Sequence, residues 1–118
     1  MDEKIKKLIS SYLPMSEQSF LLLLCLNEPM HGYGIMQMVL EQSNGRVSLG
    51  PSTVYTILYK MEQDGLIEVV SEIDRRKVYA ITYAGKQVLL AETARITELS
   101  RHAQRVISKS GSVIPVLQ

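Results

Sequence analysis

The pattern of apolar and polar positions predicts five helices and one β-hairpin. Apolar residues recur at helical spacing over residues 2–13, and Pro14 ends this helix because it disfavours helical backbone at the residue before it. Ser16 is a favourable N-cap for a second helix over residues 16–27. That helix is apolar on nearly every side, so we expect it to be the buried centre of the fold.

Two more helices follow in the middle of the chain. A turn over residues 27–30 leads to a helix over 31–42, and Gly50-Pro51 fits the start of a fourth helix over 51–64. The apolar face of this fourth helix carries Val54, Ile57, Leu58 and Met61. Its opposite face presents hydrogen-bonding side chains from Ser52, Thr53, Thr56, Tyr59, Lys60 and Gln63. Such a helix is half core and half polar surface.

The last third of the chain predicts a hairpin and a long helix. Two β-branched runs, 67–73 and 77–82, are joined by Asp74-Arg75-Arg76, and a helix over 84–109 follows with Thr82 as its cap. Two seven-residue rows run along this helix: Leu89, Ile96 and Ala103, and Glu92, Leu99 and Val106. No earlier segment has an unused apolar stripe of equal length, so we expect this seam to pack against a second copy of the chain.

This order of elements predicts a mainly α protein with a small β-hairpin, a winged helix-turn-helix followed by a long C-terminal dimerisation helix. Residues 1–83 would form the DNA-binding domain with its N-terminal helix, 84–109 the dimerisation helix, and 110–118 a loosely ordered tail. In a winged helix the third helix of the core enters the DNA major groove and the hairpin touches flanking DNA. Here that helix is the fourth of the chain, over residues 51–64, because the N-terminal helix precedes the core.

Composition narrows the class of protein. A length of 118 residues allows one domain, and the longest apolar run, residues 20–26, is far shorter than the ~20 residues that span a bilayer. We find no secretory-signal pattern. The single cysteine, Cys25, excludes an intrachain disulfide and a cysteine-clustered zinc site, fits a reducing cytoplasm and is interpreted as a buried small hydrophobe. We expect no membrane partner, no metal and no cofactor.

The net charge of +1 conceals an asymmetry. Residues 1–74 carry five basic and ten acidic side chains, a net of −5, whereas residues 75–118 carry eight basic and two acidic ones, a net of +6. The positive part is either a local patch for a polyanion or a solvated mixture that folding redistributes.

The candidate DNA contacts lie on the fourth helix and the hairpin. Small hydroxyls at the helix start let it approach the groove, and cations at a wing tip bind phosphates with little sequence information. Tyr33 and Tyr55 are interpreted either as phosphate contacts or as packing residues. The full set of predicted DNA contacts is Tyr33, Ser52, Thr53, Tyr55, Thr56, Tyr59, Lys60, Arg75, Arg76 and Lys77.

Four blocks in this order strongly resemble the PadR family of transcriptional regulators. The blocks are Glu28-Pro29-Met30-His31-Gly32-Tyr33-Gly34-Ile35-Met36, Ser52-Thr53-Val54-Tyr55-Thr56-Ile57-Leu58, Asp64-Gly65-Leu66-Ile67, and Arg75-Arg76-Lys77-Val78-Tyr79-Ala80-Ile81-Thr82 with Gly85. The resemblance implies a dimeric bacterial repressor of the smaller subfamily, with one dimerisation helix. It also implies a structural role for His31. A hydrophobic effector would sit between the paired helices near Glu92, Ile96 and Leu99.

Two features depart from the family pattern. The wing lacks the usual glycines before its basic cluster, which leaves open whether Arg75 and Arg76 reach a groove or only phosphates. No tryptophan is present, and Ile96 stands where such a residue would stack on planar ligands. Glu92 has two interpretations, a solvated rim position or a carboxylate in a cavity that selects a cationic ligand.

Three functions compete at this point. The first is a cytoplasmic, nucleoid-associated repressor that binds a pseudo-palindromic operator as a homodimer and is released by an effector. The second is a winged-helix module that binds proteins and not DNA. The third, an enzyme, has no support from motifs: the two histidines lie far apart, and no nucleophile–base pair or phosphate-binding glycine loop is present.

Overall fold

The computed structural model describes residues 2–109 and shows five helices and three strands. The predicted tail over 110–118 lies outside the described residues. In chain order the elements are α1 (Glu3–Tyr12), α2 (Glu17–Cys25), β1 (Met30–His31), α3 (Gly32–Gln42), α4 (Pro51–Gln63), β2 (Ile67–Ile73), β3 (Arg76–Ile81) and α5 (Tyr83–Lys109). The mainly helical fold class is confirmed. Within residues 2–109, none of the helices has the length and apolarity needed to cross a membrane.

The core lies where α2, α3 and α4 meet the base of the sheet. Leu22, Leu23 and Leu26 are fully buried, and Leu58 of α4 joins them. The Ser16 hydroxyl accepts a hydrogen bond from the Ser19 N–H at 3.1 Å, as its role as N-cap predicts. The prediction that α2 is the buried centre of the fold is confirmed, although Leu24 is 40% exposed and the helix ends at Cys25, two residues before the predicted end.

Cys25 itself is buried, as predicted from its place in the apolar run. Burial disfavours the charged thiolate and raises the pKa of the thiol to about 11. This side chain therefore packs as a small hydrophobe.

The sheet has one strand more than the sequence predicted. The order is β1-β3-β2, with both neighbours antiparallel, and β1 pairs Met30 with Tyr79 and His31 with Val78. The predicted turn over residues 27–30 is wrong at its last residue, which belongs to β1. Because the strand is only two residues long, it has no alternating pattern that could have revealed it.

The connections around β2 bring α5 close to the end of α4. Gly65 has a φ of +81°, which lets the chain leave α4 directly into β2. The Thr82 hydroxyl donates to the Gly65 carbonyl oxygen at 2.6 Å and accepts from the Gly85 N–H at 3.1 Å. Thr82 therefore caps α5, as predicted. Gly85 lies against Leu66 so closely that a Cβ added there would be 2.1 Å from the Leu66 carbonyl oxygen.

Helix α5 packs first against its own chain and then extends beyond it. Val88 and Glu92 are fully buried, and α1 lies along this part of the helix with Ile5 buried. Further along, Ile96 and Leu99 are exposed. The first two positions of the predicted seam, Leu89 and Glu92, are therefore covered by the chain itself and do not face a second copy.

Candidate nucleic-acid interface

The start of α4 offers the small hydroxyls that the sequence predicted. Pro51 is the first helical residue after the Gly50 N-cap, and Ser52, Thr53 and Thr56 are exposed. On the opposite face Val54 and Leu58 have no exposed surface. The apolar face therefore anchors the helix while its polar face and free N–H groups point outward, a geometry that suits anions.

The wing ends in a two-residue turn. Asp74 and Arg75 both have positive φ angles, 51° and 65°, as the type I′ turns of tight hairpins require. Residues with side chains are strained in this region, and strain of this kind clusters at functional sites. The predicted three-residue turn is wrong, because Arg76 is the first residue of β3 and pairs with Ile73.

A groove with a volume of about 560 Å³ separates the wing from the helix starts. It brings together the three wing cations and two of the three tyrosines predicted as contacts, Tyr33 and Tyr55. The lining residues are His31, Gly32, Tyr33, Met36, Pro51, Tyr55, Glu72, Arg75, Arg76, Lys77 and Tyr79. Glu72, which pairs across the hairpin with Lys77, is the acidic residue of this lining. With three cations, one carboxylate and a neutral histidine, the lining has a net charge of +2.

Tyr55 makes a packing contact and keeps about half of its surface exposed, so a phosphate contact stays a prediction. Its side chain is 51% exposed, yet a Cβ on Gly32 would lie 2.6 Å from its hydroxyl oxygen. The absence of a side chain at Gly32 therefore lets the tyrosine ring lie over the start of α3. Tyr33 is 56% exposed, with its ring centre 6.4 Å from that of His31 and the two ring planes inclined by 26°.

His31 has a structural position at the start of α3. It is the N-cap residue, and its Nδ1 accepts a hydrogen bond from the Gly34 N–H at 3.1 Å. This bond leaves the proton of the neutral ring on Nε2.

Lys60 does not lie at the groove. It is nine residues after Pro51, which places it about 14 Å further along the helix axis. Its Nζ is 2.9 Å from Asp64 Oδ2 and 5.4 Å from the centre of the Tyr12 ring. Tyr59 is 67% exposed on the same turn and is not among the groove residues. Both residues lie outside the groove, one helical turn beyond Thr56 on the exposed side of α4.

Asp64 and Tyr12 were missed as a structural pair by sequence reasoning. The Tyr12 hydroxyl donates to Asp64 Oδ2 at 2.6 Å, although the two residues are 52 positions apart. This bond, together with Lys60, holds the pKa of Asp64 below its usual value. No pattern in the sequence joins these residues, because Tyr12 ends α1 and Asp64 follows the last residue of α4.

Glu92 is neither at a solvated rim nor in an open cavity within the protomer. Its side chain has no exposed surface, and Oε2 accepts hydrogen bonds from the Met15 N–H at 2.6 Å and from Arg95 Nη2 at 3.1 Å. The Arg95 contact, partly offset by burial and aided by Met15, lowers the pKa of this carboxyl. Its charge is compensated inside the protomer, so it is not available to select a ligand.

The remaining seam residues lie at the surface of α5. Ile96, Leu99 and Val106 are 41%, 58% and 54% exposed, and Ala103 is also exposed. Leu89 is half-buried and packs against the core of its own chain. The apolar seam that is left uncovered therefore begins at Ile96.

A family profile and two related sequences match this chain. The sequence matches the profile of the Transcriptional regulator PadR-like family over residues 21–91. It is 31% identical over 88 residues to protein X of Lysinibacillus sphaericus, covering 69% of this chain and 81% of that one. It is also 33% identical over 82 residues to a 37.1 kDa protein in transposon TN4556 of Streptomyces fradiae. That match covers 68% of this chain but only 23% of the relative.

Solved structures share the fold. A PadR-like transcription factor from Bacteroides fragilis aligns with a TM-score of 0.62 at 23% identity, over 89% of this chain and 99% of the other. RosR of H. salinarum aligns with a TM-score of 0.64 at 15% identity, over 85% and 96% of the two chains. The winged-helix architecture and the profile that covers more than half of the sequence lead to one conclusion: the chain belongs to the PadR-like family of transcriptional regulators.

Proposed function

We propose that this protein is a sequence-specific DNA-binding repressor that acts as a homodimer on a pseudo-palindromic operator. The observation that carries the proposal is the groove between the wing and the starts of α3 and α4. Arg75, Arg76 and Lys77 line one side of it, and the exposed hydroxyls of Ser52, Thr53 and Thr56 lie on the adjoining face of α4. Cations for phosphates and small donors for base edges thus share one surface.

The two parts of this surface would have different tasks. The start of α4 enters the major groove, where Thr53 and Thr56 contact bases and Ser52 contacts a phosphate. The wing supplies phosphate contacts along the flanking backbone, since its two-residue turn gives it little reach beyond β2 and β3. Because the cations at the tip carry little sequence information, specificity rests on α4.

The dimer would form through the uncovered seam of α5, by Ile96, Leu99, Ala103 and Val106. On a pseudo-palindromic operator, a two-fold axis there would have to set the two copies of α4 about one helical turn of DNA apart, the spacing of palindromic half-sites. Leu89 and Glu92 contribute indirectly, because they fix the base of α5 to its own protomer. As a DNA-bound regulator the dimer would work in the cytoplasm on the bacterial nucleoid.

Release by a hydrophobic small molecule is part of this proposal. The apolar residues Ile96 and Leu99 are exposed, and between two such helices they would line an apolar site. The paired carboxylate of Glu92 gives this site no free negative charge, which favours neutral ligands over cationic ones.

Selection of duplex DNA from a genomic fragment pool tests the function directly. The purified protein should enrich fragments with two inverted half-sites, and its affinity for them should fall as salt rises. A protein that enriches no fragment at any salt concentration would contradict the proposal and favour the protein-interaction module.

Substitution of Leu99 tests the dimer. The variant Leu99→Glu puts two like charges into the seam, so we expect the dimer dissociation constant to rise at least about tenfold. Sedimentation equilibrium measures this constant, and the Leu90→Glu variant is a matched control, because Leu90 is 62% exposed on a different face of α5. Equal effects of the two variants would argue against the seam as the interface.

A further inference from the structure

Residues 12–15 are bonded to both functional helices at once. At one end the Tyr12 hydroxyl donates to Asp64 Oδ2 at 2.6 Å, at the end of α4. At the other end the Met15 N–H donates to Glu92 Oε2 at 2.6 Å, inside α5. Three peptide units separate Tyr12 from Met15, so the chain between them can span no more than about 11 Å.

The attachment to α4 is made by charged groups at the last turn of that helix. Asp64 is the residue that ends α4, and its Oδ2 also receives Lys60 Nζ at 2.9 Å. The Lys60 ammonium in turn lies 5.4 Å from the centre of the Tyr12 ring. A hydrogen bond to a carboxylate and a cation over an aromatic face both favour one position of α1 relative to α4.

The attachment to α5 is buried and rigid. Glu92 has no exposed surface, and its carboxylate is fixed by the Arg95 guanidinium as well as by the Met15 N–H. Glu92 is one turn before Ile96, where the uncovered seam begins. A shift or rotation of α5 that repacks the seam therefore displaces the group to which Met15 is bonded.

We propose that residues 12–15 couple the seam of α5 to the DNA-contacting helix. When α5 moves, Glu92 carries Met15 with it, and the short connection passes the displacement through Tyr12 to Asp64 at the end of α4. The polar start of α4 changes its tilt because the core face of the helix, with Val54 and Leu58, acts as the fulcrum. This inference rests on the proposed DNA-binding function and adds a route by which the state of the dimer helix regulates it.

A double-mutant cycle tests the coupling. The variants are Tyr12→Phe, which removes only the hydroxyl, and Glu92→Gln, which removes the charge and keeps the shape. With a selected operator duplex in a fluorescence-anisotropy titration, we expect each variant to weaken binding about threefold. If both act through one connection, the double variant also weakens binding about threefold, whereas independent effects would multiply to about ninefold.

Tyr83→Phe is the matched control, because it removes a hydroxyl from a tyrosine that is 70% exposed at the start of α5. On its own, this variant should leave the operator affinity unchanged. Combined with Glu92→Gln, it should give the same loss of affinity as Glu92→Gln alone. Urea unfolding of each variant verifies that all are folded at the titration temperature. A ninefold loss in the Tyr12→Phe/Glu92→Gln protein would overturn the proposal.

Hydrogen exchange separates this inference from the proposed function. In the free protein, Glu92→Gln should speed amide exchange over residues 58–64 when Tyr12 is present and have no such effect in the Tyr12→Phe background. A wild-type protein that binds no DNA would refute the proposed function, and the exchange data would still decide the coupling. Equal acceleration in both backgrounds, or none in either, would overturn it.

Discussion

Replacing Gly85 with alanine should destabilise the protein by about 3 kcal/mol, an effect at the upper end of those caused by one added methyl group. The new Cβ would lie 2.1 Å from the Leu66 carbonyl oxygen and 2.7 Å from Ile81 Cγ1. The same carbonyl accepts the Thr82 N–H at 3.0 Å, so it cannot turn aside without losing that bond. Relief requires α5 to move away from the end of α4.

The sign of this effect makes it a sharp test. In an ordinary helix interior, alanine is more stable than glycine by about 1 kcal/mol, so without the close approach the variant would be stabilised. Urea unfolding followed by circular dichroism gives the free energy of unfolding. Gly50→Ala is the matched control, because no atom lies within 4 Å of the added Cβ, and its cost should stay below about 1 kcal/mol. A stabilised Gly85→Ala protein would contradict the packing of α5 against Leu66.

Removing the two arginines of the wing should weaken operator binding about 100-fold at low salt. In the double variant Arg75→Ala/Arg76→Ala, a dimer loses up to four phosphate contacts. The slope of log affinity against log salt should therefore become shallower by about 3 to 4. Both side chains are exposed, so the change costs little folding stability. Anisotropy titrations at several salt concentrations measure the affinity and its slope together.

A control for this variant must remove the same charge elsewhere. Arg101→Ala/Arg105→Ala also removes two positive charges from the basic half of the chain, from exposed positions on α5. The slope should then stay close to that of the unmodified protein, because these side chains are not beside the groove. If the two double variants lower the slope equally, the wing arginines act only through net charge and not through placed contacts.

The helices and their caps could be predicted because each depends on neighbouring residues. The apolar spacing of α4, the Ser16 and Thr82 caps, and the start of α4 at Pro51 are all properties of short stretches of sequence. The wing also has such a pattern, since β-branched residues flank a polar turn. These local patterns were sufficient to predict the polar face of α4 and the cations at the tip of the wing.

Other features depend on contacts between distant residues and could not be predicted from spacing. Glu92 occupies a place in a seven-residue row, but its burial depends on Met15, a backbone donor 77 positions away. Lys60 shares the polar face of α4 with Thr53 and Thr56, yet it contacts the Tyr12 ring of α1, a partner 48 positions away that no spacing within α4 predicts. A helical wheel gives the face of a residue but not the distant side chain that this face meets in the fold.

The short strand β1 has a consequence for how DNA is distinguished. It joins the wing, through Val78, to the residue that caps α3, so the wing and the helix starts form one body. This pairing ties the two sides of the groove together and favours one width for it. On the proposed function we expect the DNA to supply the adjustment, so sequences that bend easily should bind better than stiff ones even at positions no side chain touches. Discrimination by this protein would then include the stiffness of the double helix.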